Sequence, residues 1–409
     1  MKQKTKKIRA RIQETKVAAR FGRNLKVAAT ISLSVFFVFV LLLTIFSCAK
    51  EDTSIIKIGL VVPLTGDVKT FGESVKNACQ LAVEETNNKG GVLGKKIKLV
   101  ITDDKNDPTE SSNAGSKLIN QDRVKAIIGS VSSKCSIPLS EICQDASVVM
   151  ITPTSTNPKV TVTEDGKRKD YVFRACFIDP FQGAVAAKFA LENLKAKKAA
   201  VLYDVGNDYV KGLAEFFKAD FTKGGGKIEG YESYAKDDVD FSALLTKIKT
   251  KNPDVLFIPD YYNKVGLIAK QTRQLGIKAI LLGGDGWDSP DMVKIAGDAI
   301  NGGYFTNHYS PDDPRPEVQE WVTKYQAKYG AKPDALGTLG YDATLILLEA
   351  IRLAGTDKPA MVRDAMTKIK DFQCVSGNIS FDENGNPLKS AVILEYSGGT
   401  QKYVTTVNP

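Results

Sequence analysis

Residues 55–63 read IIKIGLVVP, a nearly continuous apolar run with a single charge at Lys57. A strand covered by helices on both faces has this composition, whereas a strand with one wet face alternates. The next segment changes period. Residues 73–88 put Val75, Ala78, Cys79, Ala82 and Val83 at helical spacing, and Gly90-Gly91 stops the helix. Residues 97–102 read as a strand, 109–121 as a helix, and 124–128 as a strand ending at Gly129. Residues 137–145 read as a helix and 148–152 as a strand ending at Pro153. The rhythm restarts after Phe173, with strands at 199–203, 228–234, 255–258 and 279–282. Helices at 209–223, 241–249 and 265–275 separate those strands. Such alternation argues for parallel sheets covered by helices, and two successive blocks argue for two lobes. A third block, with helices at 316–329, 335–353 and 359–370, has strands only at 392–396 and 403–407. We expect the chain to cross back to the first lobe near Asn307, lay helices on it, and return. The alternative is a separate small helical domain.

The first 48 residues bear on location. Ten Lys/Arg lie between Lys2 and Lys26, and the run 27–46 is apolar. The sequence Ile45-Phe46-Ser47-Cys48 then puts a small residue before a cysteine. A basic head, an apolar core and a small-residue cleavage site make a secretory signal. The cysteine resembles the lipidated first residue of a bacterial lipoprotein, so residues 1–47 read as a signal peptide with lipobox and 48–54 as a lipid-anchored tether. An apolar run of about 20 residues is also long enough to remain as an uncleaved anchor. In both cases the basic flank stays inside and the rest lies outside the cytoplasm.

Charge and composition exclude several classes. The net charge of +9 resides in residues 1–47, and the remainder holds 46 basic and 46 acidic residues. That balance gives no electrostatic reason to bind nucleic acid. About 360 residues beyond the signal exceed one ordinary core, which again favours two lobes. Five cysteines follow Cys48, an odd number without a C-x-x-C pair, so no zinc or other metal site is indicated. The single histidine, His308, lies in Asn307-His308-Tyr309 with no nucleophile motif nearby, and G-x-S-x-G is absent. It reads as a loop residue, and the chain as a non-enzyme without cofactor.

Ligands of open parallel sheets bind beyond the carboxyl ends of the strands. Three loops occupy such places. Gly129-Ser130-Val131-Ser132-Ser133-Lys134 offers hydroxyls and helix N–H groups to an anion such as a carboxylate, unless Ser132 or Ser133 merely caps its own helix. Thr152-Pro153-Thr154-Ser155-Thr156-Asn157 is a second hydroxyl-rich loop, or a turn around two prolines. Gly283-Gly284-Asp285-Gly286-Trp287 sets an acid among glycines, suited to a cation or to an Asx-type turn. Together they fit a zwitterion, with its carboxylate on the hydroxyls and its ammonium on Asp285.

The stretches IKIGLVVPLTG (56–66), GGVLGKKIKLVITDDKNDPTES (90–111), IIGSVSSK (127–134), ITPTSTNPKVT (151–161) and LLGGDGWDSP (281–290) closely resemble the branched-chain amino acid binding proteins of ABC importers. The resemblance covers residues 55–409. It implies a two-lobed type I periplasmic-binding-protein fold, each lobe a mainly parallel sheet flanked by helices, with a three-strand hinge. The lobes would comprise residues 55–175 with 308–378, and 176–307 with 379–409. By position, Ser133 and Thr156 would hold the ligand carboxylate, helped by the backbone at Thr154. Asp285 would pair with the ammonium, where the family commonly has Glu. Phe71, Tyr209 and Tyr261 match pocket walls, and Trp287 is a further wall candidate. Some members join the loop near Asn106 to that near Ser132 by a disulfide. This chain has no cysteine there, and the expected run of the crossover strands suggests a Cys176–Cys374 disulfide instead. The implied partners are an amino acid, an ABC permease and, through Cys48, the membrane, with the protein a monomer. A ligand-sensing ectodomain and a binder of an amide, urea or carboxylic acid are the alternatives. The end of the sequence at Pro409, without a second span, weighs against the sensor.

Overall fold

The computed structural model describes residues 6, 9, 11, 13–20 and 53–409. The apolar run 27–46 and the lipobox with Cys48 lie outside the described residues. The chain divides into two units, Met1–Thr53 and Ser54–Pro409. Residues 13–20 of the first are helical.

The second unit contains two sheets. The first is built from β1 (Ile55–Val62), β2 (Lys96–Asp103), β3 (Ala126–Gly129), β4 (Val149–Thr152) and β5 (Val172–Arg174), all parallel, in the order β2-β1-β3-β4-β5. The apolar run at 55–63 is thus a central strand. Ile56, Ile58, Leu60 and Val62 enter one core with Val75, Ala78 and Cys79 of helix α1 (Lys69–Asn88). Val61 points the other way, into a core with Leu118 and Leu139. Leu118 comes from α2 (Pro108–Asn120) and Leu139 from α3 (Ser133–Asp145). Gly59 permits this close layer, since a Cβ there would stand 2.9 Å from Leu118 Cδ1.

The second sheet takes the order β12-β11-β10-β9-β8-β6-β7. Its parallel part is β6 (Lys198–Asp204), β7 (Lys227–Tyr234), β8 (Val255–Phe257), β9 (Ile280–Gly283) and β10 (Tyr304–Asn307). Two antiparallel strands, β11 (Ala391–Ser397) and β12 (Thr400–Val407), complete it. Its helices are α4 (Asp179–Glu192), α5 (Asp208–Lys223), α6 (Ser242–Lys251), α7 (Tyr262–Gln274) and α8 (Asp291–Ala296). The remaining helices are α9 (Pro316–Tyr329), α10 (Ala335–Ala354) and α11 (Pro359–Met366). Helix α10 lies along α1 of the first sheet. Ser74 Oγ donates to Asp334 Oδ2 at 2.7 Å, and Cys79 Sγ to the Gly340 carbonyl at 3.3 Å. The chain therefore passes between the sheets after β5, after β10 and before β11.

Four elements depart from the sequence reading. Helix α4 escaped notice because Val185, Ala186, Ala187, Phe189 and Ala190 surround it without forming a stripe, and all are buried. Strands β5 and β10 and helix α8 are too short for periodicity to register. The Cys176–Cys374 disulfide is a correction: both thiols are free and buried. Cys176 Sγ instead donates to the Ser155 carbonyl at 3.3 Å. Ser132 Oγ donates to Asn106 Oδ1 at 2.7 Å, joining the two loops without a crosslink.

Candidate functional site

The carboxyl ends of β3 and β4 face those of β8 and β9 across a closed gap. The gap is lined by Phe71, Val131, Ser133, Thr154, Tyr209, Tyr261, Asp285, Gly286 and Leu336, and its cavity volume is about 20 Å³, so the two walls stand nearly in contact. Six of the eight residues expected from sequence meet here: Ser133, Thr154, Tyr209, Tyr261, Asp285 and Phe71. Thr156 and Trp287 do not line it, and neither does any lysine or arginine.

One wall is built for an anion. Ser133 is the first residue of α3, and Ser132 N-caps that helix with extended backbone and no side-chain cap bond. Ser133 Oγ accepts from Asn157 N at 3.3 Å, which leaves its proton for another acceptor. The helix N-terminus adds partial positive charge and free N–H groups. The Thr154 hydroxyl donates to the Val131 carbonyl at 2.7 Å, so its side chain braces the two loops together. Thr156 sits behind this wall. It is buried, and its hydroxyl faces the carboxyl of Asp179. Burial pushes Asp179 up to about 8.

The opposite wall carries the acid. Asp285 opens a short 3-10 turn, Asp285–Trp287, directly after β9. Gln182 Nε2 and the Tyr209 hydroxyl each donate to its Oδ1 at 2.8 Å. His308 Nε2 lies 2.9 Å from its Oδ2. His308, expected as a loop residue, lies in the bend after β10. There it is fully buried and stacked on Phe177 at 3.7 Å between ring centroids. Burial holds its pKa below the ordinary histidine value, so the ring is neutral at pH 7. Asp285 is thus oriented by three neutral donors, and its negative charge is not cancelled.

Trp287, expected as a wall, is a core residue. Its indole N–H donates to the Ile258 carbonyl at 2.9 Å, and its ring lies where a Cβ on Gly283 would fall 2.1 Å away. Hence the glycines around Asp285 serve packing: a Cβ on Gly284 would stand 2.6 Å from the Tyr209 hydroxyl. Sequence reasoning missed Leu336, Gln182 and His308. Leu336 follows the Asp334 N-cap of α10, whose side chain accepts from Gly337 N. That capping signal marked a helix start and nothing about a cavity.

Aromatic groups close the gap. Tyr209 and Tyr261 stack with planes 6° apart, and Phe71 meets Tyr261 and Tyr262 edge-on at 5.8 and 5.0 Å. Polar bonds flank them. Thr70 Oγ1 donates to Asp291 Oδ2 at 2.6 Å and accepts from the Tyr262 hydroxyl at 3.1 Å. On the other side, Asn157 Nδ2 donates to the Asp208 carbonyl at 2.9 Å.

Two sheets with their strand ends facing a small sealed cavity, hydroxyls on one side and a carboxylate on the other, define a two-lobed solute receptor. Residues 55–400 match the periplasmic binding protein family, and the chain belongs to that family. It is 34% identical to Leu/Ile/Val-binding protein homolog 3 of Brucella melitensis over 332 residues, covering 81% of this chain and 88% of that protein. Among solved structures, the leucine binding protein LivK of Thermotoga maritima is 40% identical, with a TM-score of 0.82 over 87% of this chain and 99% of that one. LivJ of Streptococcus pneumoniae, solved with isoleucine, is 31% identical, with a TM-score of 0.81 over 87% and 99%. The family is one of solute-binding proteins that act outside the cytoplasm.

Proposed function

We propose that this protein captures one α-amino acid with an aliphatic side chain, of the leucine, isoleucine and valine type, and delivers it to an ABC importer permease. The carrying observation is the cavity itself. Ser133 and the start of α3 face Asp285 across it, with Phe71, Val131 and Leu336 as its apolar part. The ligand carboxylate takes the Ser133 hydroxyl, with Thr156 and the Thr154 backbone behind it. The ammonium takes Asp285, while Tyr209 and Tyr261 close over the ligand. The relatives' own ligands, leucine, isoleucine and valine, support this reading. Function is capture by closure, with no bond made or broken in the ligand. We assign residues 55–175 and 308–378 to one lobe and 176–307 and 379–409 to the other, and treat the protein as a monomer. A thermal-shift screen of the twenty amino acids, urea and simple carboxylic acids tests the proposal. Leucine, isoleucine or valine at about 100-fold above Kd should raise Tm by about 3–6 °C. A larger shift with urea or a plain acid, and none with an amino acid, would reject it.

Closure is held partly by residues that touch no ligand. Thr70→Val removes the bond to Asp291 and should weaken binding of every ligand by a similar factor, about fivefold. Thr70→Ser should retain affinity. Calorimetry with leucine and valine reads both variants, and unequal losses would place Thr70 in the ligand site instead.

We further propose that Cys48 carries a lipid that anchors the protein to the outer face of the cell membrane. Cys48→Ser should then move the protein from the membrane fraction to the soluble fraction. A variant that stays in the membrane would favour the apolar segment as the anchor.

A further inference from the structure

Among the described residues no lysine or arginine lines the cavity, although the proposed ligand brings a carboxylate into it. One arrangement that supplies positive charge lies behind the hydroxyl wall. Arg174, the last residue of β5, is fully buried. Its Nη1 donates to the Ser155 carbonyl at 2.7 Å and its Nη2 to the Asn157 carbonyl at 2.9 Å, so the fork grips the chain on both sides of Thr156. Nη2 also donates to Thr161 Oγ1 at 3.1 Å, and Nε has no partner. Asn157 in turn gives its N–H to Ser133 Oγ. Guanidinium, Asn157 and Ser133 therefore form a chain that ends on the cavity wall.

The hydrogen-bond partners of this guanidinium are uncharged oxygens, two carbonyls and a hydroxyl, while the group itself is always charged. The acids that act on it from farther away are Asp179 and Asp382. Asp179 is fully buried, with the Thr156 hydroxyl beside its carboxyl. Burial pushes its pKa up to about 8, which favours the uncharged form and weakens its pull on the arginine charge. A buried cation without a contact anion is costly unless something offsets it.

We infer that Arg174 is the counter-charge of the ligand carboxylate: without touching the ligand, it positions Thr156 and Ser133 and holds positive potential behind them. This inference rests on the amino acid reading above and adds a residue to it. It makes the protein selective for a free carboxylate over an amide of the same shape.

The test is calorimetry at pH 7 with leucine and with leucinamide, which keeps the ammonium and side chain but lacks the negative charge. Arg174→Gln should weaken leucine binding about tenfold or more and leucinamide binding about twofold or less. Arg174→Lys, which keeps the charge but not the fork, should lie between Gln and wild type for leucine. Equal losses for both ligands would make Arg174 a structural brace only and overturn the inference. If the variants fail to fold, the unaltered protein decides. The Arg174 Nε–H resonance should shift on leucine binding more than on leucinamide binding, and equal shifts or none would overturn the inference. Wild-type protein that binds neither leucine, isoleucine nor valine would instead reject the amino acid reading itself.

Discussion

Asp285→Ala should weaken amino acid binding by about 2–5 kcal/mol, the cost of leaving an ammonium unpaired in a sealed site. The magnitude follows from how the carboxylate is held. Gln182, Tyr209 and neutral His308 fix its position without neutralising it. Its charge is therefore directed at whatever occupies the cavity, where exclusion of water strengthens the attraction. The alanine variant loses that charge and leaves three donors facing a void. Asp285→Asn separates the two effects. It preserves size, so a loss nearly as large as that of alanine would show that charge is what matters. Calorimetry with leucine reads both variants, and unchanged affinity would remove Asp285 from the site.

Trp287→Ala should destabilise the fold by about 3–5 kcal/mol, the range for truncating a large buried aromatic residue. The indole is fully buried, lies against Gly283 and donates to the Ile258 carbonyl, while Tyr396 bonds the Trp287 carbonyl at 2.8 Å. Phe305 stacks beside it at 6.1 Å. Removing the ring opens a cavity directly beneath the turn that presents Asp285, so ligand affinity should fall as well. Urea unfolding with an unchanged m-value measures the first effect. Had Trp287 been a pocket wall, its loss would change ligand preference with little effect on stability. That outcome would contradict its placement in the core.

The parts of this molecule legible in the sequence are those that local pattern determines. The nearly continuous apolar run at 55–63 is best satisfied between two helical layers, and it is the second strand in order of a five-stranded sheet. The hydroxyl loops and the glycine-flanked acid were found because strand ends announce themselves by Gly and Pro. Contacts formed across long sequence separation were not legible. His308 meets an acid 23 residues away, and Gln182 one 103 residues away. Both lie in segments whose own periodicity is silent. Trp287 followed an acid in a glycine-rich loop, which suits a wall and a core plug equally. Only the close approach of its ring to Gly283 decides between them.

A crystal structure of the protein grown with leucine tests the central claim most directly. The ligand's ammonium should lie within hydrogen-bond distance of Asp285, and its carboxylate should meet Ser133 at the start of the helix Ser133–Asp145. Leucine bound in the opposite orientation, or outside the cavity between these two residues, would contradict the account.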